Sequence, residues 1–155
     1  MQASLRLLNK RRFLPLFVTQ LLGAFNDNLF KNALLLLITY SAGGLMGLSV
    51  NVVVNLAAFL FILPFFLFSP IAGQIADKME KSRLIRSVKL LEVAIMLIAA
   101  AGIITNNMLL MMTLLFLMGL QSALFGPVKF ALLPQQLHKD ELVGGNALVE
   151  MGTFL

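Results

Sequence analysis

The feature that most constrains this chain is an apolar stretch at 13–40, interrupted in its middle by Gly23-Ala-Phe-Asn26-Asp27-Asn28-Leu-Phe-Lys31-Asn32. Both flanks, 13–22 and 33–38, are nearly pure hydrocarbon. As a single helix the stretch rises about 40 Å at ~1.5 Å per residue, enough to span a hydrocarbon core of about 30 Å with some tilt. Asp27 and Lys31 then lie inside the membrane, where an ionisable group is costly unless it pairs, reaches the interface or faces a watered cavity.

Helical spacing places Gln20, Gly23, Ala24, Asp27 and Lys31 on one stripe, with Asn26 and Asn28 at its borders. Asp27 precedes Lys31 by one turn, the favourable orientation for an intrahelical ion pair. The cluster is therefore either a buried pair that neutralises itself or the wall of a cavity. The number of polar side chains within a turn and a half favours the cavity.

The rest of the composition extends this reading. Hydrophobic residues make up 59% and charged residues 12% of the chain, and the mean hydropathy is +0.92, which excludes an ordinary soluble domain. The net charge of +5 does not point to nucleic acid, because the basic residues sit between apolar spans without an aromatic or basic reading surface. No cysteine is present, so disulfides, thiol catalysis and thiolate metal sites are ruled out. The basic N-terminus and apolar run differ from a cleaved signal peptide, since Asn26-Asp27-Asn28 and Lys31 follow where a small-residue cleavage site belongs.

Four spans are expected, at about 13–40, 50–76, 84–104 and 108–132. Arg6, Lys10, Arg11 and Arg12 precede the first. The connection 41–49 is uncharged, and its Gly43, Gly44 and Gly47 read as a flexible turn rather than a helix-dimer face. Pro64 and Pro70 are expected to bend the second span. A basic loop from Asp77 to Arg83 follows, then a third span in which Lys89 can pair with Glu92. Thr105-Asn106-Asn107 forms an uncharged turn. The fourth span carries Gln121 and a Gly126-Pro127 weakening beside Lys129, and 134–141 reads as a polar loop. Charges fall in alternate connections, which predicts a multi-pass protein with a cytoplasmic N-terminus. A further helix opens near Gly144 and runs about a dozen residues, ~18 Å, too short to cross. The chain is thus expected to be part of a longer protein.

Gly73-Gln-Ile-Ala-Asp77-Lys78-Met-Glu80-Lys81-Ser-Arg83 resembles the cytoplasmic signature of the major facilitator superfamily, Gly-x-x-x-Asp-[Arg/Lys]-x-Gly-[Arg/Lys]-[Arg/Lys]. Glu80 stands where that pattern has glycine, and Ser82 where it has a basic residue. The resemblance implies that Gly73, Asp77, Lys78, Lys81 and Arg83 form a gating lock between a loop and a helix end. Longer segments are similar to the superfamily's lysophospholipid transporter branch: 15–34 around Asn26-Asp27-Asn28 and Lys31, Phe125-Gly-Pro-Val-Lys-Phe130, Leu133-Pro134 and 141–154. The same module resembles the N-terminal part of bacterial fusions carrying acyltransferase and acyl-carrier-protein synthetase domains.

These resemblances imply an all-α polytopic fold, with 1–155 forming part of the N-terminal six-helix half. They imply a secondary transporter that flips lysophospholipid, notably lysophosphatidylethanolamine, across the bacterial inner membrane for reacylation. An acyltransferase or synthetase is implied as a fused domain or partner, and no cofactor is. The substrate or coupling residues are then Asn26, Asp27, Asn28, Lys31 and Lys129, with Gln20 and Gln121 beside them. A carboxylate and a lysine can each take one end of a zwitterionic headgroup; Asp27 can equally carry a proton or coordinate Na⁺. The alternatives are generic drug or metabolite efflux, which the cytoplasmic signature alone supports, and a non-transporting membrane fragment or subunit. Catalysis is not expected: the acyltransferase His-x4-Asp pattern fails at His138, which has Val143 at the fifth position, and no other nucleophile and base are suitably spaced.

Overall fold

The computed structural model describes residues 6–40 and 47–154; Gly43 and Gly44 of the first connection lie outside them. Among the described residues, five α-helices follow a short 3-10 turn at Arg6–Asn9: α1 Leu14–Tyr40, α2 Val50–Lys78, α3 Lys81–Ile104, α4 Met108–Gln136 and α5 Leu142–Thr153, the last preceded by a 3-10 turn at Lys139–Glu141. The first four are each long and apolar enough to cross a membrane. Within the described residues α5 comprises 12 residues, a rise of about 18 Å.

Short connections force consecutive helices to run antiparallel. Between α2 and α3 only Met79 and Glu80 are extended, and Glu80 pairs with Arg83 at 2.9 Å. Between α3 and α4, Asn106 adopts φ 49°, a left-handed conformation that asparagine tolerates better than most residues. Asn107 then caps α4 by accepting from Leu110 N–H at 3.1 Å, which satisfies an otherwise orphan donor of the first turn.

One expectation about the chain path is corrected. Pro134 does not open a loop: α4 runs through it to Gln136. Pro64 and Pro70 lie inside the continuous α2, and Gly126 and Pro127 inside the continuous α4. Pro64 is buried among its neighbours and Pro127 half-buried, whereas Pro70 and Pro134 are exposed.

The helices bury two apolar clusters. One joins Phe13, just before α1, and Leu16 and Phe17 of α1 to Val88 of α3, Val128, Leu132 and Leu133 of α4, and Leu148 and Val149 of α5. The other joins Phe30, Leu34 and Ile38 of α1 to Val53 and Ala57 of α2, Ile95 of α3, and Met111, Leu115 and Met118 of α4. Each cluster draws on opposite ends of antiparallel helices, so the segment between them falls near the middle of every helix. Asp27, Pro64, Glu92 and Ser122 sit within about two residues of the centres of their helices. That shared middle is where the polar residues collect.

α2 and α4 approach closely at the same level. A Cβ on Gly119 would lie 2.2 Å from the Phe61 carbonyl oxygen, so only glycine allows these backbones to meet. The outer faces remain apolar, with Leu22, Leu29, Leu36, Phe66, Leu90 and Leu97 exposed, as lipid contact requires.

Candidate functional site

A cavity of about 350 Å³ opens between the clusters. From α1 it is lined by Gln20, Gly23, Ala24, Asp27 and Asn28; from α2 by Phe61 and Phe65; from α3 by Lys89; from α4 by Gln121, Ser122, Phe125, Gly126, Lys129 and Phe130; and from α5 by Thr153. The polar stripe of α1 thus faces a cavity, because its i, i+3, i+4 spacing keeps these side chains on one side while the leucines take the other.

Three polar assemblies shape this space. On α4, Ser122 Oγ donates to Asp27 Oδ2, while Asp27 Oδ1 is buried with no hydrogen-bond donor among the described residues. Glu92 gathers donors from three helices: Lys89 Nζ at 2.6 Å, Gln121 Nε2 at 2.8 Å and Asn26 Nδ2 at 3.2 Å. At the α5 side, Gln20 Nε2 donates to the Val149 carbonyl at 3.0 Å and to Thr153 Oγ1 at 2.6 Å, and Lys129 Nζ donates to the same Thr153 oxygen at 3.2 Å. Aromatic faces complete the walls: Lys89 Nζ lies 4.6 Å from the Phe125 ring centroid and Lys129 Nζ 4.9 Å from that of Phe130. Such contacts favour a cation held out of water.

Of the residues singled out in the sequence, Gln20, Asp27, Asn28, Gln121 and Lys129 come together in the lining, whereas Asn26 and Lys31 do not. Asn26 turns to Glu92 instead. The expected Asp27–Lys31 ion pair does not form: Lys31 Nζ donates to Asn28 Oδ1 at 3.0 Å and lies 5.7 Å from the Phe61 ring centroid. Asp27 instead accepts on one oxygen from Ser122, and its other oxygen remains without a donor among the described residues. The Lys89–Glu92 pair does form, at 2.6 Å. Its place in the site was not evident from sequence, because an i, i+3 pair near a helix end reads equally well as a surface pair. Ser122 was also missed, since a lone serine in an apolar helix carries no distinguishing signal.

The signature residues lie apart from the cavity. Asp77 and Lys78 are exposed at the end of α2, and Lys81 and Arg83 open α3. Nothing stands within 4 Å of a Cβ on Gly73, so this glycine does not serve a close helix approach among the described residues. Asp77 has no hydrogen bond or ion pair among them; the loop's ion pair is Glu80–Arg83.

At the same end of the bundle, Glu141 binds the segment before α1. Lys10 Nζ pairs with Glu141 Oε1, and Arg12 with Oε2 at 2.8 Å. His138 N–H also donates to Oε2 at 3.1 Å, and Arg12 donates to His138 Nε2 at 3.3 Å. The hydrogen bond from Lys10, with that from the His138 backbone, holds the Glu141 carboxyl below its ordinary pKa.

Comparison with known proteins agrees with this architecture. The family model described as "Transmembrane secretion effector" matches residues 8–155. The lysophospholipid transporter LplT of Salmonella newport is 33% identical over 142 residues, covering 91% of this chain and 32% of that protein. Those of Salmonella heidelberg and Salmonella typhi are 32% and 33% identical over the same length. The chain therefore spans about a third of the length of these curated relatives. No solved structure matches it. With nearly its whole length matched by the family, the chain belongs to the transmembrane secretion effector family of the major facilitator superfamily, in the branch that includes lysophospholipid transporters.

Proposed function

We propose that this chain is the N-terminal portion of a secondary transporter that moves lysophospholipid, lysophosphatidylethanolamine foremost, across the bacterial inner membrane for reacylation. The observation that carries this reading is Asp27. Its Oδ1 is buried without a donor among the described residues, in a cavity that also presents Lys129 and four phenylalanine rings. An ammonium headgroup satisfies that oxygen, a phosphate takes Lys129, and an acyl chain fits the aromatic walls. Asn28, Gln20 and Gln121 supply amides along the same lining, Asn26 steadies Glu92, and Lys31 orients Asn28.

In this reading α1 to α5 belong to a six-helix half, with the remaining helices closing the pathway. The N-terminus is cytoplasmic, because Lys10, Arg12 and the basic α2–α3 loop share one end of the bundle. Gly73, Asp77, Lys78, Lys81 and Arg83 then act as a lock engaged in another state of the transport cycle.

The test is reconstitution of the full protein in vesicles and measurement of labelled lysophosphatidylethanolamine reaching the inner leaflet. Protein-dependent protection of the label from an external quencher is expected. Movement of an unrelated cationic dye without movement of the lysolipid would favour drug efflux instead. With any native cysteine of the full protein replaced by serine, a cysteine placed at Ser82 should be shielded from an impermeant maleimide in whole cells, and one at Asn106 should react.

A further inference from the structure

We infer that Lys89 joins Lys129 in binding the anionic group of the amphiphile in this cavity, with Glu92 as the resting partner from which Lys89 turns to the incoming anion. This rests on the reading of the cavity as the substrate site. Lys89 lines the cavity, whereas Lys31 does not. Its ammonium occupies a bay made by glycine: a Cβ on Gly23 would stand 2.4 Å from Nζ. Glu92 accepts one of its three N–H bonds, and no other protein acceptor takes the remaining two among the described residues.

Glu92 is 8% exposed and stands behind the lining. Losing a buried partner ordinarily leaves an uncompensated charge. Here Gln121 and Asn26 each donate to the carboxylate, so it stays solvated by amides when Lys89 turns part of its charge to an incoming anion. The lining itself carries two cations, Lys89 and Lys129, against one carboxylate, Asp27. That balance selects a phosphate-bearing amphiphile over a neutral one.

The test is equilibrium binding to the full protein in neutral nanodiscs, using lysophosphatidylethanolamine, monododecyl phosphate and monoacylglycerol. Lys89→Gln is expected to weaken both phosphate ligands at least about tenfold and leave monoacylglycerol within about twofold, with Lys89→Arg restoring much of the loss. Glu92→Gln preserves shape and frees Lys89 from competition, so it should tighten phosphate ligands several-fold without changing monoacylglycerol. It decides the matter if Lys89→Gln does not fold. Equal loss of all three ligands, no loss with Lys89→Gln, or unchanged or weakened phosphate binding with Glu92→Gln overturns the assignment. Lys89-dependent binding of monododecyl phosphate without any binding of lysophosphatidylethanolamine keeps the anion site and removes the lysophospholipid reading. Lysophospholipid binding indifferent to Lys89 does the reverse.

Discussion

Gln121 of α4 donates to Glu92 of α3 across 2.8 Å, near the centres of both helices. Asn26 of α1 reaches the other oxygen of the same carboxylate at 3.2 Å, so three helices converge on one buried charge. α2 joins them differently, by apolar packing and by the close approach at Gly119. The polar layer thus orients α1, α3 and α4, while shape complementarity holds α2.

Gln121→Leu removes one of the amides that solvate Glu92 and should destabilise the protein by about 1–2 kcal/mol, the range for a side-chain hydrogen bond between membrane helices. A double-mutant cycle with Glu92→Gln, read by unfolding in detergent, checks it. The coupling should be positive; strictly additive losses would show that the contact carries no energy.

Gly119→Ala places a methyl 2.2 Å from the Phe61 carbonyl oxygen and must push α2 from α4, at a cost of about 1–3 kcal/mol. Gly126→Ala, where a Cβ meets nothing within 4 Å, is the matched control on the same helix and should leave the melting temperature unchanged or raise it. Circular-dichroism melts of the two variants compare them directly.

Glu141 gives the fold a pH dependence of definite sign. Its folded pKa is depressed, first by the hydrogen bond from Lys10 and then by that from His138 N–H. The contribution is therefore complete above the ordinary glutamate pKa and disappears as pH falls through the lowered folded value. Wild type should melt above Glu141→Gln at neutral pH, with the gap closing under acid. Because Lys10 and Arg12 are partly exposed, salt should narrow the same gap.

Much of this arrangement was legible in the sequence because two periodicities carry it. The apolar runs and the alternation of charge between connections announce four long helices, and the i, i+3, i+4 spacing of Gln20, Gly23, Ala24 and Asp27 announces a polar face. The partners across helices were not legible. Asp27 and Lys31 have the spacing of a pair, yet tertiary neighbours on α2 and α4 offered Ser122 to one and the Phe61 face to the other. Lys89–Glu92 carries the same local signal, and only the meeting of α1, α3 and α4 near their midpoints turns it into part of a site. Pro134 misled for a related reason: local chemistry favours a break, yet α4 continues to Gln136 with Leu132 and Leu133 beside it buried in the cluster shared with α5.

Asp27→Asn tests the account most directly. Ser122 can still donate to the remaining carbonyl oxygen, so insertion and folding should survive while the charge is lost. Uptake of labelled lysophosphatidylethanolamine by vesicles carrying the full protein should fall to the protein-free background in Asp27→Asn and persist in Lys31→Gln, whose side chain lies outside the cavity. Uptake by Asp27→Asn at the wild-type rate would contradict the claim that this carboxylate is the heart of the transport site.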